Sequence, residues 1–434
     1  MFKSWRCMLV VLFAAVSCGC VAATQVNKAD GQQGSAPKLK ITETSLGRTE
    51  GAVYFVGSPD SRHVACIVQR GEKQIVIVDG VAGKEYDEIK RFSLEFSPDS
   101  KRVAYAAKRG KKWLAVVDGV EGKEYDRIDS FFGPVFSPDS KRIAYTAKHG
   151  EKRLVVIDGV EGNEYDRIGD IGLGNIVFSP DSRRVAYVAQ RAGTYFVVID
   201  GVEGKGYDGY VHDVIFSPDS KRVAYAAGRG ERSLAVVDGV EGKEYDYVGR
   251  PIFSPDSMHI VYWVRRDVKW LVVVDGLKEH EYDGMGALGT IAFSPDTKRM
   301  AYAAKRGGKV FVVVDGAEGK PYDGIGWHTL IFSPDSKRIA YAATSGGKRR
   351  YVVDGVEGNA CDAMGFVVFS PDSLHFTYWA MRSKKQLIIV DGMESKEYDE
   401  ILDRSELVFD SPSRLHTLAI RNNEIFLVEI EITE

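Results

Sequence analysis

The chain has 434 residues, a formal net charge of -3 and a hydrophobic fraction of 44%, which is ordinary for a soluble globular protein with ample material for a core. The near-neutral charge does not mark it as a nucleic-acid-binding protein, and no nucleic-acid partner is expected.

The first 37 residues differ from the rest of the chain. Lys3 and Arg6 precede a short apolar run, residues 8–16, and small residues with Cys18 and Cys20 follow it. This order is typical of a secretory signal, and the run is too short to span a bilayer. The sequence therefore predicts a signal peptide over residues 1–19. Because the next segment is polar and rich in Gly, Gln and Ser, it predicts a flexible tether over residues 20–37.

The cysteines of this zone resemble the lipobox of bacterial lipoproteins. The resemblance implies cleavage and acylation at Cys18, which follows Ala15-Val16-Ser17, or at Cys20, which follows Gly19. A plain secretory signal is the third possibility. A lipoprotein would be anchored in a membrane of the cell envelope and would face the periplasm or the cell exterior.

From residue 58 onward a Ser-Pro-Asp-Ser tetrad recurs roughly every 40 residues, which indicates one supersecondary unit stacked on its own copies. The Ser-Pro pairs begin at Ser58, Ser97, Ser137, Ser179, Ser217, Ser254, Ser294, Ser333 and Ser370, with a degraded copy at Ser411.

One repeat reads as four strands, which we label a to d. Residues 135–138 form a short apolar strand a, and residues 142–147 alternate polar and apolar side chains as strand b. Residues 154–157 are a β-branched strand c, and Asp158-Gly159 predicts a tight hairpin turn. Residues 164–168 are assigned to strand d. Four antiparallel strands without a helix are typical of one β-propeller blade.

The segment from Phe96 to Tyr105, Phe-Ser-Pro-Asp-Ser-Lys-Arg-Val-Ala-Tyr, resembles the WD40-like repeats of the periplasmic Tol-system propeller proteins and of dipeptidyl-peptidase-IV-type propellers. The resemblance covers nearly everything after residue 50 and implies an all-β propeller. Those families usually have Gly where this chain has Ser100 and Ser140, so we expect strained backbone there. No hydrolase domain follows the repeats, so peptidase activity is not implied.

The end repeats predict how the array closes. The first has Gly57 where others have Phe96 or Phe136, and the tenth stops after strand c. Residues 39–44 are an unassigned strand-like segment that can supply the missing strand d, because closure removes exposed sheet edges. The sequence thus predicts a propeller over residues 38–434, as one ring of ten blades or as two five-bladed rings.

Chemical motifs are weak. The Pro-Asp and Asp-Gly aspartates read as turn formers, the histidines are scattered, and no nucleophile elbow is present. Cys66 and Cys361 each replace a tyrosine of the repeat and are expected to be free, partly buried thiols. No catalytic residue, metal or cofactor is predicted.

The distribution of charged residues between the loops predicts that the two faces of the propeller carry opposite charge. The b–c loops are rich in Lys and Arg, whereas the segments from Asp-Gly to Tyr-Asp are rich in acids. The b–c and d–a loops share one face of a propeller. The candidate binding residues of this face are Lys108, Arg109, Lys111, Lys112, Arg265 and Arg266, with the aromatic d–a residues Phe131, Phe132, Tyr210, Trp327 and His328.

The leading hypothesis is a non-enzymatic binding or scaffold protein of the cell envelope, which engages an acidic protein or an anionic envelope polymer through the basic face. The alternatives are a structural assembly factor with protein partners only, and a propeller glycan lyase or hydrolase.

Overall fold

The computed structural model describes residues 38–49, 51–129, 133–169, 176–286, 289–402 and 405–433. The predicted signal, the tether and both candidate acylation sites, Cys18 and Cys20, lie outside these residues. None of the described residues belongs to a helix long and apolar enough to cross a membrane.

Ten antiparallel sheets follow one another along the chain, and each is one propeller blade. The prediction of a β-propeller is confirmed, and the ten sheets make it a ring of ten blades. Strands b are Val64–Arg70, Val103–Arg109, Ile143–His149, Val185–Arg191, Val223–Arg229, Ile260–Arg266, Met300–Arg306, Ile339–Ser345, Phe376–Arg382 and Arg414–Arg421. Strands c are Lys73–Val78, Lys112–Val117, Lys152–Ile157, Thr194–Ile199, Arg232–Val237, Lys269–Val274, Lys309–Val314, Lys348–Val353, Lys385–Val390 and Glu424–Thr433.

Strand a, the innermost, is continuous in blades 1 and 5 and interrupted in the others. The continuous strands are Ala52–Gly57 and Val211–Phe216. The interrupted ones are Glu88–Ile89 with Glu95–Phe96, Arg127–Ile128 with Val135–Phe136, Arg167–Ile168 with Ile176–Phe178, Tyr247–Val248 with Ile252–Phe253, Gly284–Met285 with Ile291–Phe293, Gly324–Ile325 with Ile331–Phe332, Ala363–Met364 with Val368–Phe369, and Glu400–Ile401 with Val408–Ser411. A 3-10 turn, Arg91–Ser93, lies in the interruption of blade 2.

Strand d differs from the sequence-based assignment, which placed it at residues 164–168. In blade 3 it is Val160–Glu161, extended by a bridge from Tyr165 to Arg153. Arg167–Ile168 instead pairs with strand b of blade 4. The reason is the tight two-residue Asp-Gly turn, because strand d begins directly after it. Strand d therefore ends at the Tyr-Asp pair, and the residues after this pair already belong to strand a of the next blade.

The corrected outer strands d begin directly after the Asp-Gly turns. They are Val81–Tyr86, Val120–Tyr125, Val160–Glu161, Val202–Glu203, Val240–Tyr245, Leu277–Tyr282, Ala317–Glu318, Val356–Glu357 and Met393–Glu394, with Lys38–Arg48 as that of blade 10. The turn prediction is confirmed, since Asp118 and Gly119 have φ of 52° and 76°, as a mirror-image hairpin turn requires.

The N-terminal strand closes the ring. Lys38–Arg48 pairs antiparallel with Glu424–Thr433, with Leu39 opposite Ile432. Blade 10 then meets blade 1, where Ser61 Oγ donates to the Glu406 carbonyl at 2.8 Å. Gly57 replaces the repeat phenylalanine here because a Cβ would lie 2.9 Å from Ser405 Cβ. Blades 5 and 6 share one core cluster, so the chain forms one ring rather than two five-bladed rings.

The last serine of each Ser-Pro-Asp-Ser turn has a role that glycine could not fill, because its hydroxyl forms a hydrogen bond. Ser100 and Ser140 have φ of 63° and 64°, a left-handed conformation, so the expectation of strained backbone at these serines is confirmed. The hydroxyl offsets this strain by joining blades, because the Asp99 N–H donates to Ser140 Oγ at 2.9 Å. The same bond joins Asp139 to Ser182.

In blades 2, 3, 4, 5, 7 and 8, an arginine directly before strand b ties the blade to the next one, whereas blades 1, 6 and 9 have a histidine at this position. Arg102 Nε donates to Asp118 Oδ2 at 2.8 Å, and its Nη1 donates to the Ser140 carbonyl at 2.9 Å. The guanidinium lies over the Phe136 ring at 5.2 Å. Two copied residues, Arg102 and Asp118, therefore have structural roles.

Tyrosines fill the core between blades. The Tyr125 and Tyr145 rings meet edge to face at 6.2 Å, and the Tyr125 hydroxyl donates to Glu161 at 2.8 Å. Cys66 and Cys361 are free, as predicted. Burial raises the pKa of both thiols, which keeps them protonated and unreactive.

Candidate functional site

The b–c hairpins form one face of the ring, which we call the b–c face. The opposite face carries the Asp-Gly and Ser-Pro-Asp-Ser turns, and we call it the c–d face. Lys108 and Arg109 end strand b of blade 2, Lys111 lies in the turn, and Lys112 begins strand c. Arg265 and Arg266 end the corresponding strand of blade 6. These six cations lie on the b–c face of two separate blades.

The Tyr-Asp aspartates also lie on the b–c face, which corrects the prediction of two oppositely charged faces. Asp126 Oδ1 accepts from Lys112 Nζ at 2.6 Å, and its Oδ2 accepts from the Gly150 N–H of the next blade at 2.7 Å. Strand d runs across the blade, so it ends beside the b–c hairpin. The ammonium of Lys112 lowers the pKa of Asp126, with help from the Gly150 amide.

Several arginines of the hairpins are also neutralised within their own blade. Arg109 lies 2.5 Å from Glu121 and 3.7 Å from Glu124, and Arg266 lies 2.9 Å from Glu281. Arg109 lowers the pKa of Glu121 to about 2. Lys111, in contrast, forms no ion pair with any residue that the structure describes. The positive charge of the b–c face therefore comes from the cations that form no internal ion pair, and not from every Lys and Arg of its loops.

One row of side chains, beside the b–c hairpins, varies from blade to blade. Each row contains one residue of strand b. This residue directly follows a position that is usually a fully buried alanine, such as Ala107 or Ala147. The register aligns one residue each from strands a, b and c. The rows are Glu88, Lys108 and Trp113; Arg127, Lys148 and Arg153; Arg167, Gln190 and Tyr195; Tyr247, Arg265 and Trp270; Gly284, Lys305 and Val310; Gly324, Thr344 and Arg349; and Ala363, Met381 and Gln386.

Variation at this row has a physical meaning. The positions that repeat hold the core and the contacts between blades, so they cannot change without loss of stability. Two members of the row, Tyr195 and Val310, are buried in core clusters, but its exposed members change from blade to blade and are free to serve recognition. The row is thus the strongest candidate for a binding surface.

The row of blade 6 belongs to a run of aromatic rings. Tyr247 meets Trp270 edge to face at 5.4 Å, and the Arg265 guanidinium lies 6.0 Å from the Trp270 ring. His212 of blade 5 stacks on Tyr247 at 6.4 Å. Arg265 is one of the predicted binding residues, whereas Tyr247 and Trp270 are not among them. The signal was available, because both occupy the variable positions after Tyr-Asp and after the first lysine of strand c.

Tyr210 lies on the neighbouring blade and is 57% exposed. Its ring is 5.2 Å from that of Tyr195, the row residue of blade 4. Tyr210, Tyr195 and the blade 6 rings therefore occupy adjacent blades on the b–c side.

An open cleft of about 530 Å³ separates the outer parts of blades 4 and 5. Glu241 on its wall accepts from Lys205 and Arg229, at 2.7 and 2.6 Å. Seven of the ten blades begin strand c with lysine, but blade 4 begins it with Thr194. Asp208 therefore accepts a hydrogen bond from the Gly230 N–H at 3.1 Å without the lysine partner that the corresponding aspartates have. The cleft is polar and extends the variable surface outward.

Trp327 and His328 lie in the interruption of strand a of blade 8, not among the hairpins. Their ring centroids are 4.0 Å apart, and His328 has φ of 56°. Burial, and then the charge of Arg250, lower the pKa of His328 to about 4. The histidine is therefore neutral at physiological pH. Phe131 and Phe132 lie outside the described residues.

The lowered pKa makes His328 a source of acid sensitivity. The folded protein binds this proton less readily than the unfolded chain, so the stability that neutral His328 contributes is present above about pH 6.5 and is lost as the pH falls toward 4. We expect the melting temperature of the natural protein to fall more steeply between pH 7 and 4 than that of His328→Asn. Asparagine tolerates the left-handed backbone. Parallel melting curves for the two proteins would contradict the assignment.

Within the described residues, no group of three or more His, Cys, Asp or Glu side chains could hold a metal ion.

No protein-family model matches the sequence, and no curated protein matches it. Many solved structures match this one in a structural comparison. A crystal structure of a eukaryotic initiation factor has a TM-score of 0.50 at 14% identity, covering 81% of this chain and 98% of that chain. TolB from Acinetobacter baumannii has a TM-score of 0.30 at 13% identity, covering 68% and 76%. The Dos1 propeller has a TM-score of 0.39 at 9% identity, covering 68% and 91%. The first of these likenesses supports the propeller fold.

Proposed function

We propose that this propeller is a non-enzymatic binding protein whose b–c face engages an anionic macromolecule. The observation that supports the proposal is the row of residues beside the b–c hairpins, because its residue types differ between blades while most other positions repeat. Three of its cations, Lys148, Arg265 and Lys305, form no ion pair with any described residue, and the turn residue Lys111 is equally unpaired.

Unpaired cations on a rigid scaffold favour an acidic partner for two reasons. They keep their full field, which speeds the approach of an anionic partner. They also pay no cost of breaking an internal ion pair when the partner binds. Arg265 adds a flat guanidinium beside Trp270 and Tyr247, so this part of the face can combine charge with aromatic contact.

The proposed location is the cell envelope, with an acyl anchor on Cys18 or Cys20. It is supported by the charged start, the apolar run and the small residues before both cysteines. A lipoprotein anchor carries more than one acyl chain, which is what stable membrane attachment needs.

The partner is found by affinity purification of the full chain from its own envelope, and tested with two variants of equal charge change. The first reverses Lys111, Lys148, Arg265 and Lys305 to Glu. The matched control reverses Lys101, Arg183, Lys298 and Lys337 on the c–d face to Glu. We expect the first to reduce capture by about tenfold or more, because electrostatic steering carries that much of the association rate, and the control to capture normally.

Raising the ionic strength should weaken capture by the natural protein, because salt screens exposed charges. Normal capture by the first variant, together with loss in the control, would overturn the proposed binding face.

A further inference from the structure

Most of the exposed large apolar side chains lie on the c–d face. Each Asp-Gly turn is followed by an apolar residue at the first position of strand d, and Val120 is 71% exposed there. Six other blades have an equally exposed residue at this position: Val81, Val160, Val202, Val240, Leu277 and Val356. Together these residues form a ring, which we call the valine ring.

Two further apolar residues extend the valine ring. Met258 and Leu374 are 72% and 69% exposed, and they occupy the turn position where blades 2 and 3 have Lys101 and Lys141. Single exposed apolar residues are common on protein surfaces, but a set gathered on one face marks a contact surface.

The outermost charges of the c–d face are positive. Lys141 Nζ lies 3.9 Å from Asp139 Oδ2, but the Lys141 side chain is 82% exposed, whereas that of Asp139 is 40% exposed. Asp139 accepts hydrogen bonds from Ser137 Oγ at 2.6 Å and from the Lys141 N–H at 3.1 Å, so its carboxylate is held in the turn. Lys221 repeats this arrangement. The Asp158 carboxylate is likewise bonded to Arg142.

The preceding chain leaves from this same face. Lys38 pairs with Thr433, at the c–d end of strand c of blade 10. The residues before Lys38 include the apolar run and both candidate acylation sites. Fully extended, the stretch to Lys38 spans about 60 Å from Cys20 and about 70 Å from Cys18, so an anchor on either cysteine attaches to the ring from its c–d side.

We propose that the c–d face lies against a phospholipid bilayer. The valine ring enters the headgroup region, and lysines such as Lys141 and Lys221 contact lipid phosphates. Apolar residues flanked by lysines are the composition that favours the membrane interface. The inference rests on the envelope location proposed above, but not on the identity of the partner. It leaves the b–c face turned away from the membrane.

The test uses the full chain with Cys18→Ser and Cys20→Ser, so that no acyl chain contributes. Co-flotation is measured with vesicles of phosphatidylethanolamine and phosphatidylglycerol. A second protein adds Val120→Thr, Val160→Thr, Val202→Thr and Val240→Thr, which keep the side-chain shape. We expect these four substitutions to lower vesicle binding by about tenfold, since each removes apolar contact with the interface.

Val268→Thr is the control, because Val268 is 79% exposed but lies in a b–c turn. It should float as its parent does. Equal flotation of the four-valine variant and its parent would overturn the proposal. So would a dimer that forms without lipid, measured by light scattering, and that the four substitutions abolish, because the valine ring would then join two copies of the chain.

Partner capture is measured on the same proteins, which separates the two proposals. If the four-valine variant loses flotation but keeps its partner, the lipid surface stands independently of the b–c face. If partner capture fails in every protein while flotation behaves as expected, only the proposed binding role fails.

Discussion

Deleting residues 38–46 should lower the melting temperature by more than about 10 °C and make the protein aggregate. The deletion removes most of the strand that closes blade 10 and leaves Glu424–Thr433 as an open edge. It also removes Glu43, which receives two hydrogen bonds from Arg421, at 2.8 and 2.7 Å, and an ion pair from Lys396.

Leu39 and Ile41 pack against the core cluster that contains Val428 and Ile430, so the loss is one of packing as well as pairing. Thermal unfolding and light scattering measure the two effects. Deleting residues 21–36 is the control and should change neither. Equal behaviour of the two deletions would show that residues 38–46 do not contribute to the ring.

Replacing Phe136 with alanine should cost about 3–5 kcal/mol of stability, as expected when a buried aromatic ring is removed and its cavity does not collapse. Phe136 is only 5% exposed, packs with Ala104 and Ile143 between blades 2 and 3, and lies beneath the Arg102 guanidinium. The substitution therefore removes core packing and a cation–aromatic contact together.

Denaturant unfolding measures the cost. Phe136→Leu, which keeps most of the apolar volume, should lose about 1–2 kcal/mol, because volume-conserving changes are tolerated better. A loss below 1 kcal/mol for Phe136→Ala would mean that the repeated phenylalanine is not a core residue.

The architecture was predictable because it rests on local signals. The tetrad spacing gives the repeat, and Asp-Gly between two apolar runs gives the hairpin, whose φ values the structure confirms. The predicted position of strand d is wrong because residues 164–168 look like one strand in the sequence, whereas in the structure Tyr165 belongs to blade 3 and Arg167 to blade 4. Pattern alone does not show where a chain crosses between sheets.

The wrong position of strand d also explains why the prediction of two oppositely charged faces is wrong. Asp126 was counted with the Asp-Gly turn, but the length of strand d brings it beside Lys112. The pairing of Arg109 with Glu121 was also invisible, because it depends on strand register. Tyr247, Arg265 and Trp270 meet only through the ladder of blade 6. A comparison of the repeats position by position could have singled out their variability, though not their contact.

Amide hydrogen exchange of the full chain, measured with and without the captured partner, tests most directly whether an anionic partner binds the b–c face. We expect slower exchange in the b–c hairpins, such as residues 109–112 and 265–269, with unchanged exchange in Asp-Gly turns such as Asp118-Gly119. Protection confined to the Asp-Gly turns, with unaffected hairpins, would contradict it.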